Sequence, residues 1–552
     1  MKHGFMSKMK TVSIKQKGEI QLKKQFSKII CFSLAVALMA TMAAGCGKKG
    51  SSNADNETSS KSEQAVEIKI PVYERGIQGE PAANDNFWTR WIQQKALEDI
   101  NVKVTYVPIP RQQDVDKFNM LLAAKEAPDI IFSYDYPVIS AFYTRGALQE
   151  IPKDVLDKNG PNLKKYLGEE TLKYGEIDGK QYLIPARRPQ SYSYMTLIRQ
   201  DWLEKLNLPM PTNLDEYYNV LKAFKEKDPS GLGSNNIIPL TFSLKNATDA
   251  VANYGFRSDD ISEEEHAMYS DVLLPSLSWE PTKEMLRFNN KLYNEGLISQ
   301  EFALDKDGKK AEADFMNGKA GIYGGYIAKS PPIIQTLMQN VPTAKLKVLP
   351  PQPAPGTTAK GREYWPFGML SGINKECKHV DAVIKFIDWM SREDILFTLQ
   401  KGIEGKNYTL KDGEVVLNND FTGEEKLLNG TNKDLWCLVT ESEDLGDEMK
   451  NLEAEAKLRA PEGFEYLFTE NYEQTKKIKG IQDFLFDRPV ESVNKYRKTL
   501  LSKYEEAAVK LIMCKPSEFD ALYETFKTEY LNSGYQEILD EKKQIYNEMK
   551  KK

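Results

Sequence analysis

The chain has 552 residues and a net charge of −5, with 75 Lys and Arg against 80 Asp and Glu. Residues 1–45 hold eight of the lysines and one glutamate, so the remainder carries 67 basic and 79 acidic residues, a net charge of −12. This acidic balance excludes nucleic acid and other polyanions as general partners.

The length predicts more than one lobe, because a single hydrophobic core stops growing at roughly 250–300 residues. Only Cys377, Cys437 and Cys514 follow Cys46, and an odd number of cysteines at wide spacing does not form a disulfide framework. Aromatic residues make up 10% of the chain. Most of these rings are expected to pack in the core, and the composition also permits exposed rings that stack on a ligand.

The first 46 residues have the order of an export signal. Eight lysines precede or border an apolar run at 29–44, and small residues then lead to Cys46. The run is shorter than the roughly 20 residues that span a bilayer, and this order is typical of secretion. A retained signal anchor is the alternative, although Thr41, Gly45 and the polar sequence behind Cys46 suit cleavage better.

Ala43-Ala44-Gly45-Cys46 resembles the end of a bacterial lipoprotein signal, although such signals more often have Leu in place of Ala43. The resemblance implies a signal peptide at 1–45 and acylation of Cys46, for example with palmitate. Acyl chains would then hold the protein on the extracellular face of the cell membrane. Residues 46–65 are almost devoid of large apolar side chains, which predicts a lipidated, disordered tether.

Behind the tether, short β-rich runs mix with longer amphipathic segments, which predicts an α/β architecture. In chain order we expect strands at 66–72, 102–107, 130–133, 182–185, 195–198, 321–323, 346–349 and 367–373. Helices are expected at 87–100, 117–125 and 214–227, and the chain is mostly helical from residue 490. Asp201, Thr212 and Ser517 are the expected N-caps of three helices.

Five segments occur in an order that is typical of one family. They are AAKEAPDI at 123–130, IDGKQYLIP at 177–185, IRQDWLEKL at 198–206 with Pro-Thr at 211–212, YNEGLI at 293–298 and GKAGI at 318–322. Together they resemble extracellular solute-binding proteins of the carbohydrate class, the receptor components of ABC importers. The long insertion after Pro211 is similar to that of the oligosaccharide and alginate-type receptors.

The resemblance implies a two-lobed, periplasmic-binding-protein-like α/β fold of type II, with an interlobe cleft and a helical C-terminal region. The expected N-terminal lobe comprises residues 66–190 and 367–430, and the C-terminal lobe comprises 191–366 and 431–552. Such a receptor, expected to be a monomer, binds an oligosaccharide in the cleft without catalysis or cofactor and delivers it to the membrane permease. Its binding energy shifts an open–closed equilibrium that the permease reads.

Related receptors often carry a calcium loop of the form D-P-D-G-N-G-x-x-D-E-I-P, and residues 228–239 here read DPSGLGSNNIIP. Calcium takes six to eight oxygen ligands. Leu232 offers no side-chain oxygen, Ser230 replaces a carboxylate and Ile237 removes an acidic ligand. We therefore expect Asp228, Ser230 and Asn236 to belong to a degenerate loop that holds no metal.

Sugar recognition uses flat rings for stacking and paired polar groups for the hydroxyls. Candidates that follow predicted strand ends or lie where the chain passes between the lobes are Tyr73, Glu74, Arg75, Tyr134, Asp135, Tyr136, Arg187, Arg188, Tyr192, Tyr326 and Trp365. Trp88 is a further candidate on a helix, and core packing is the alternative for every aromatic residue. Arg187 and Arg188 are costly in a core and also suit a carboxylate-bearing sugar.

Two other functions stay open. A membrane-tethered glycoside hydrolase needs two carboxylates across the scissile bond, but acidic residues are too numerous to be informative. No H-E-x-x-H, G-x-S-x-G or P-loop pattern is present, and His266 and His379 are the only histidines behind Cys46. The second alternative is a receptor of the same fold for a peptide or another non-sugar solute, because a fold does not fix its ligand.

Overall fold

The computed structural model describes residues 64–77, 79–243, 255–271, 274–411, 413–418, 420–428 and 431–551. The signal at 1–45, the lipidation site Cys46 and the tether as far as residue 63 lie outside the described residues. Residues Gln64–Lys552 form one compact unit.

The described strands form two main sheets, one longer parallel pair and three short pairs. In chain order they are β1 Val66–Glu74, β2 Val102–Pro110, β3 Ile130–Ser133, β4 Leu148–Gln149, β5 Glu176–Ile177, β6 Lys180–Gln181, β7 Leu183–Arg187, β8 Tyr194–Arg199, β9 Ile238–Leu240, β10 Ala320–Tyr326, β11 Leu346–Val348, β12 Lys360–Arg362, β13 Phe367–Asn374, β14 Tyr408–Lys411, β15 Glu414–Leu417 and β16 Lys479–Ile481.

The first main sheet has the order β3–β13–β4, with β7 also paired to β13, and all of its pairings are antiparallel. Every residue of β13 is buried, as expected for a central strand covered on both faces. The second main sheet has the order β11–β8–β10–β9, in which only the β9–β10 pairing is parallel. β1 and β2 run parallel from the pairing of Val66 with Val102.

Each sheet has its own set of helices. The first lobe contains Phe87–Ile100, Asp114–Ala124, Tyr136–Thr144, Lys153–Asn159, Pro161–Leu172, Val380–Met390, Glu393–Lys401 and Thr431–Trp436. The second lobe contains Gln200–Leu206, Leu214–Lys227, Glu263–Tyr269, Glu280–Asn294, Lys309–Met316, Ser330–Asn340, Glu448–Arg459, Tyr466–Thr475, Glu491–Met513, Phe519–Tyr530 and Gln536–Met549.

The two lobes have separate hydrophobic cores. The first core takes its buried residues from 68–186, 367–399 and 435–439, and the second lobe takes them from 195–349 and 456–538. Residues 435–439 therefore belong to the core of the first lobe, although the sequence predicted that this lobe ends at residue 430. They do so because the helix Thr431–Trp436 contacts β1 and the helix Glu393–Lys401.

Side chains set several helix boundaries, but not always those expected. Asn86 caps its helix with a full capping box, as its side chain and that of Thr89 bond each other's backbone N–H groups. The three expected caps are wrong. Asp201 lies inside its helix and bonds the Arg199 guanidinium, and Asn213, the residue after Thr212, caps the following helix. Ser517 lies in a 3-10 turn ahead of its helix.

Three chain segments connect the lobes, at 188–193, 363–366 and 440–447. Backbone hydrogen bonds hold them side by side. The bonds run from the N–H of Arg188 to the carbonyl of Pro366 (2.9 Å), from Tyr364 to Ser191 (2.8 Å) and from Glu441 to Arg187 (2.8 Å). Short paired connections of this kind form a hinge about which two lobes rotate.

Asp388 joins two helices of the first lobe. It lies in the helix Val380–Met390, and its Oδ1 accepts the backbone N–H groups of Asn162 at 2.6 Å and Leu163 at 2.9 Å. Those groups belong to the first turn of the helix Pro161–Leu172, which has no intrahelical acceptor for them. The buried carboxylate therefore caps a helix that is more than 200 residues away in sequence.

Replacing Asp388 by Ala is expected to lower the free energy of unfolding by about 2–3 kcal/mol, because the buried N–H of Leu163 and the partly buried N–H of Asn162 lose their acceptor. Denaturant unfolding at pH 7 measures the change. The matched control is Asp394→Ala, which removes an exposed carboxylate paired with Arg392 and should cost less than about 0.5 kcal/mol. Equal losses in the two variants would contradict the capping role.

Candidate ligand-binding cleft

A cavity of about 1290 Å³ lies between the two lobes. Tyr134, directly after β3, lines it from the first lobe, Gln335 lines it from the second, and Tyr364 lines it from a connecting segment. The volume exceeds the roughly 300–1,000 Å³ of most small-molecule sites. The cavity therefore has room for a ligand of several rings.

The cavity brings together residues that are far apart in sequence. Seven of the twelve candidate ligand residues line it, namely Arg75, Tyr134, Asp135, Tyr136, Arg188, Tyr326 and Trp365. Five do not, namely Tyr73, Glu74, Trp88, Arg187 and Tyr192. Most of the seven directly follow a strand end or lie on a connection between the lobes, as the sequence predicted.

Tyr73 and Trp88 are core residues, with 0% of each exposed. The Tyr73 ring packs on Phe132 with centroids 4.6 Å apart, and its hydroxyl donates to the Asp114 carboxylate at 2.9 Å. The Trp88 indole N–H donates to the carbonyl of Lys426 at 3.2 Å. Because both polar atoms are satisfied inside the first lobe, neither side chain is placed for a ligand.

The other three unplaced candidates have different surroundings. The Arg187 guanidinium pairs with Asp444 at 2.9 Å and donates to the carbonyl of Tyr166 at 3.1 Å, so it stabilises a connection between the lobes. Glu74 is exposed. Tyr192 is half-buried, and its burial raises the pKa of the phenol to about 12.

Arg75 forms a bidentate ion pair behind the cavity wall. Its Nε and Nη2 donate to the Asp434 carboxylate at 2.5 and 2.8 Å. Asp434 is fully buried, and burial raises the pKa of its carboxyl although the Arg75 guanidinium opposes that rise. Arg75 is thereby held in one orientation with part of its side chain facing the cavity.

Arg188 is fixed in a similar way on the hinge. It forms an ion pair with Glu441, and its guanidinium lies 4.4 Å from the ring centroid of Tyr364. The Arg362 guanidinium lies 4.5 Å from the same ring. Burial tends to raise the pKa of the Glu441 carboxyl, but Arg188 and Lys433 together hold it below its usual value.

Three tyrosines group on the cavity wall beside the hinge. Tyr194 stacks on Tyr364 with ring centroids 6.2 Å apart and meets Tyr326 edge-on at 5.8 Å. The Tyr364 hydroxyl donates to that of Tyr194 at 3.0 Å. Burial raises the pKa of Tyr326 well above its ordinary value, so its hydroxyl stays neutral. The group offers aromatic faces and hydroxyls side by side.

Several lining residues were missed in the sequence. Arg111 follows the end of β2, so the strand-end rule that selected Arg75 could have found it; its guanidinium lies 4.7 Å from the Tyr73 centroid and 5.4 Å from that of Tyr134. Tyr194 opens a strand rather than following one. The wall contributed by 399–443, a short helix and loops around β14 and β15, carries no sequence signal for a site.

In the loop at 228–239, the carboxylate of Asp228 is hydrogen-bonded by other groups of the same loop. Asp228 accepts the Ser230 hydroxyl at 2.6 Å and two backbone N–H groups at 2.7 and 3.1 Å, which lowers the pKa of its carboxyl. The Asn236 amide donates to the carbonyl of Leu232 at 2.8 Å. Hydrogen bonds within the loop therefore satisfy the Asp228 carboxylate.

The described residues hold no group of three or more His, Cys, Asp and Glu side chains suited to a metal. None of the described helices is long and apolar enough to cross a membrane. Cys377 and Cys437 are buried free thiols, and Cys514 is a half-buried one.

Calcium is expected to leave the melting temperature of the protein unchanged, because Asp228 is already satisfied within its loop. Thermal unfolding in 5 mM CaCl₂ and in 5 mM EDTA measures the effect. A calcium-dependent rise in melting temperature that Asp228→Ala abolishes would contradict it.

Replacing Arg75 by Met is expected to lower the free energy of unfolding by about 3–5 kcal/mol at pH 7.5, because the buried Asp434 carboxylate loses its counter-ion. In the Arg75→Met protein, burial alone then raises the pKa of Asp434 further above its value in the unfolded chain. The folded state of this variant therefore binds more protons than its unfolded state, so the stability of the variant falls as pH rises. Its loss of stability relative to the parent protein should be smaller at pH 5 than at pH 8.

Denaturant unfolding of both proteins at the two pH values measures that difference. Arg90→Met is the matched control, since Arg90 pairs with Asp85 at an exposed position. A deficit of Arg75→Met that does not change with pH would show that Asp434 is not the group responsible.

The chain matches the family model described as "Bacterial extracellular solute-binding protein" over residues 81–395. Lipoprotein LipO of Bacillus subtilis (strain 168) is 28% identical over 402 residues, which are 69% of this chain and 74% of LipO. The polygalacturonan/rhamnogalacturonan-binding protein YtcQ of the same organism is 29% identical over 326 residues, 56% of this chain and 62% of YtcQ.

A third relative is the fructooligosaccharide ABC transporter substrate-binding protein FusA of Streptococcus pneumoniae, 27% identical over 318 residues, 52% of this chain and 56% of FusA. Among solved structures, alginate-binding protein AlgQ2 without calcium ion superposes with a TM-score of 0.64 at 19% identity, over 88% of this chain and 98% of AlgQ2. This likeness shows the two-lobed α/β fold. The chain belongs to the bacterial extracellular solute-binding protein family.

Proposed function

We propose that the protein is the substrate-binding lipoprotein of an ABC importer and that it binds an oligosaccharide in the cleft between its lobes. The observation that carries the proposal is the composition of the cavity wall. Tyrosine rings stand beside arginines whose orientation is fixed by ion pairs, directly on the hinge that joins the lobes.

These groups suit a sugar for a physical reason. The C–H-rich face of a pyranose packs on an aromatic ring, while its hydroxyls need donors and acceptors in fixed directions. Tyr326 and Tyr364 supply rings, and the Arg188–Glu441 pair supplies a donor beside an acceptor. A ligand that touches both lobes and the hinge would favour the closed state, which the permease reads.

The names of similar proteins support an oligosaccharide. FusA is named for fructooligosaccharide, YtcQ for polygalacturonan and rhamnogalacturonan, and AlgQ2 for alginate. These ligands differ in charge and linkage but are all chains of sugar residues. The permease subunits of an importer, by the same reasoning, are the membrane partners of this chain.

Catalysis is not part of the proposal. A glycoside hydrolase needs a carboxylic acid whose pKa is raised so that it can protonate the leaving oxygen. Glu441, a partly buried carboxyl of the cavity, instead has a lowered pKa because Arg188 and Lys433 hold it ionised, so it accepts hydrogen bonds from a ligand and does not donate a proton. Burial and the neighbouring Glu448 raise the pKa of Glu363, another lining carboxyl, so the test for glycan cleavage below decides against a hydrolase.

The proposal includes attachment to the membrane. Acylation at Cys46 would keep the monomeric receptor on the extracellular face of the cell membrane, close to its permease. LipO, a similar chain, is named a lipoprotein. Metabolic labelling with an alkyne fatty acid tests the anchor, and Cys46→Ser should abolish the label.

A thermal-shift screen of the soluble body, residues 47–552, is expected to show saturable stabilisation by oligosaccharides, because a ligand that binds only the folded state raises the melting temperature. The panel contains neutral and uronate oligosaccharides and peptides, and chromatography of each glycan detects cleavage. Stabilisation by peptides alone, or release of shorter sugars, would contradict the proposal.

Tyr326→Ala is expected to weaken oligosaccharide binding about tenfold, because one stacking ring is removed, and Tyr326→Phe should restore most of the affinity. Isothermal titration calorimetry gives the dissociation constants. The matched control is Tyr466→Ala, which removes a tyrosine that is 40% exposed and lies outside the cavity. Equal affinities of the Tyr326→Ala and Tyr466→Ala proteins would exclude Tyr326 from the site.

A further inference from the structure

A strap of non-helical chain at 482–490 lies between the lobes. It leaves the second lobe after β16 and returns to it at the helix Glu491–Met513, so both of its ends belong to that lobe. Much of the strap also faces the cleft. Its residues that line the cavity are Asp483, Phe484, Leu485, Phe486, Arg488 and Val490.

The strap begins beside one of the three segments that connect the lobes, at 363–366. The N–H of Glu363 donates to the carbonyl of Ile481 at 3.0 Å, directly before the strap. The indole N–H of Trp365 then donates to the carbonyl of Asp483 at 3.1 Å. The strap is therefore a further piece of chain bonded to the hinge, although it does not itself connect the lobes.

Alternate side chains of the strap pack on the second lobe. The Phe484 ring meets the rings of Phe486 and Tyr546 edge-on, with centroids 4.9 and 5.9 Å away. Arg488, two residues beyond Phe486, forms an ion pair with Glu548. Tyr546 and Glu548 belong to the last helix of the chain, so the strap is fastened to the C-terminal helices of the second lobe.

The strap also contacts the first lobe, from the positions in between. The side chain of Leu485 packs against the core of the first lobe, and the carbonyl of Asp487 accepts the backbone N–H of Asp178 at 3.4 Å. Successive residues of an extended chain point to opposite sides. The strap is thus a thin layer with one face on each lobe. Directly after it, the helix Glu491–Met513 contacts the first-lobe helix Tyr136–Thr144.

The two faces of the strap are not equally strong. In the described part of the chain, two aromatic rings and an ion pair hold it to the second lobe, whereas a half-buried leucine and one long hydrogen bond hold it to the first. When lobes rotate about a hinge, the weaker of two packed faces separates. The strap should therefore move with the second lobe and part from the first.

We propose that the strap at 482–490 is a latch, whose contacts with the first lobe hold the unliganded cleft in the position of this structure and break when the cleft opens. The inference goes beyond the proposed function, because it concerns the protein without a ligand. It also has a consequence for binding. A latch that raises the population of the binding-competent state lowers the apparent dissociation constant without itself touching a sugar.

Small-angle X-ray scattering of the unliganded soluble body, residues 47–552, tests the latch. Leu485→Ala removes the apolar contact with the first lobe, and Trp365→Phe removes the indole N–H while keeping a ring. Both variants should have a larger radius of gyration than the parent. Leu304→Ala is the matched control, at a second-lobe leucine that is 79% exposed and outside the cavity, and should keep the parent radius. A cooperative melting transition shows that each variant is folded.

Calorimetric titration with kestose and with trigalacturonate tests the consequence for binding. A probe that binds the parent should bind Leu485→Ala about threefold to tenfold more weakly, because the competent fraction has fallen. At saturation, the radius of gyration of Leu485→Ala should return to that of the liganded parent. Leu304→Ala should bind with parental affinity.

The outcomes separate the latch from the proposed function. If Leu485→Ala and Trp365→Phe keep the parent radius, or if Leu304→Ala enlarges it equally, the strap is not a latch. Weaker binding by Leu485→Ala at an unchanged unliganded radius would make Leu485 a ligand contact and would also contradict the latch. If the radius rises in both strap variants but no glycan binds the parent, the latch is supported and the proposed function fails.

Discussion

The hydrogen-bonded contact among three chain segments is the constraint on which the rest of the molecule depends. The two lobes have separate cores and are held together at these segments. Backbone hydrogen bonds join Arg188 to Pro366, Tyr364 to Ser191 and Glu441 to Arg187. The side chains of these same segments face the cavity. A ligand that contacts them is coupled directly to the geometry between the lobes.

Buried ion pairs give the cleft its rigidity. Asp434 orients Arg75, and Glu441 orients Arg188, so each guanidinium is held before any ligand arrives. Polar groups that are fixed before binding lose less conformational entropy when the ligand binds.

Much of the fold could be predicted from the sequence, because strands such as β3 and β13 are short buried runs with clear limits. The strand-end rule also placed Arg75, Tyr134 and Arg188 in the cleft. It failed for Tyr73, because β1 is buried on both faces from Ile70 to Tyr73 and that ring packs on Phe132. The cavity wall at 399–443 could not be predicted, because it forms only when the helices Glu393–Lys401 and Thr431–Trp436 pack together.

Hydrogen–deuterium exchange, measured with and without a saturating oligosaccharide, tests most directly whether the cleft at the hinge is the ligand site. Slower exchange is predicted in segments 188–193, 363–366 and 440–447, together with wall residues of both lobes, and no change is predicted at 228–239. Protection confined to one lobe, or to surfaces away from the cavity, would contradict binding between the lobes.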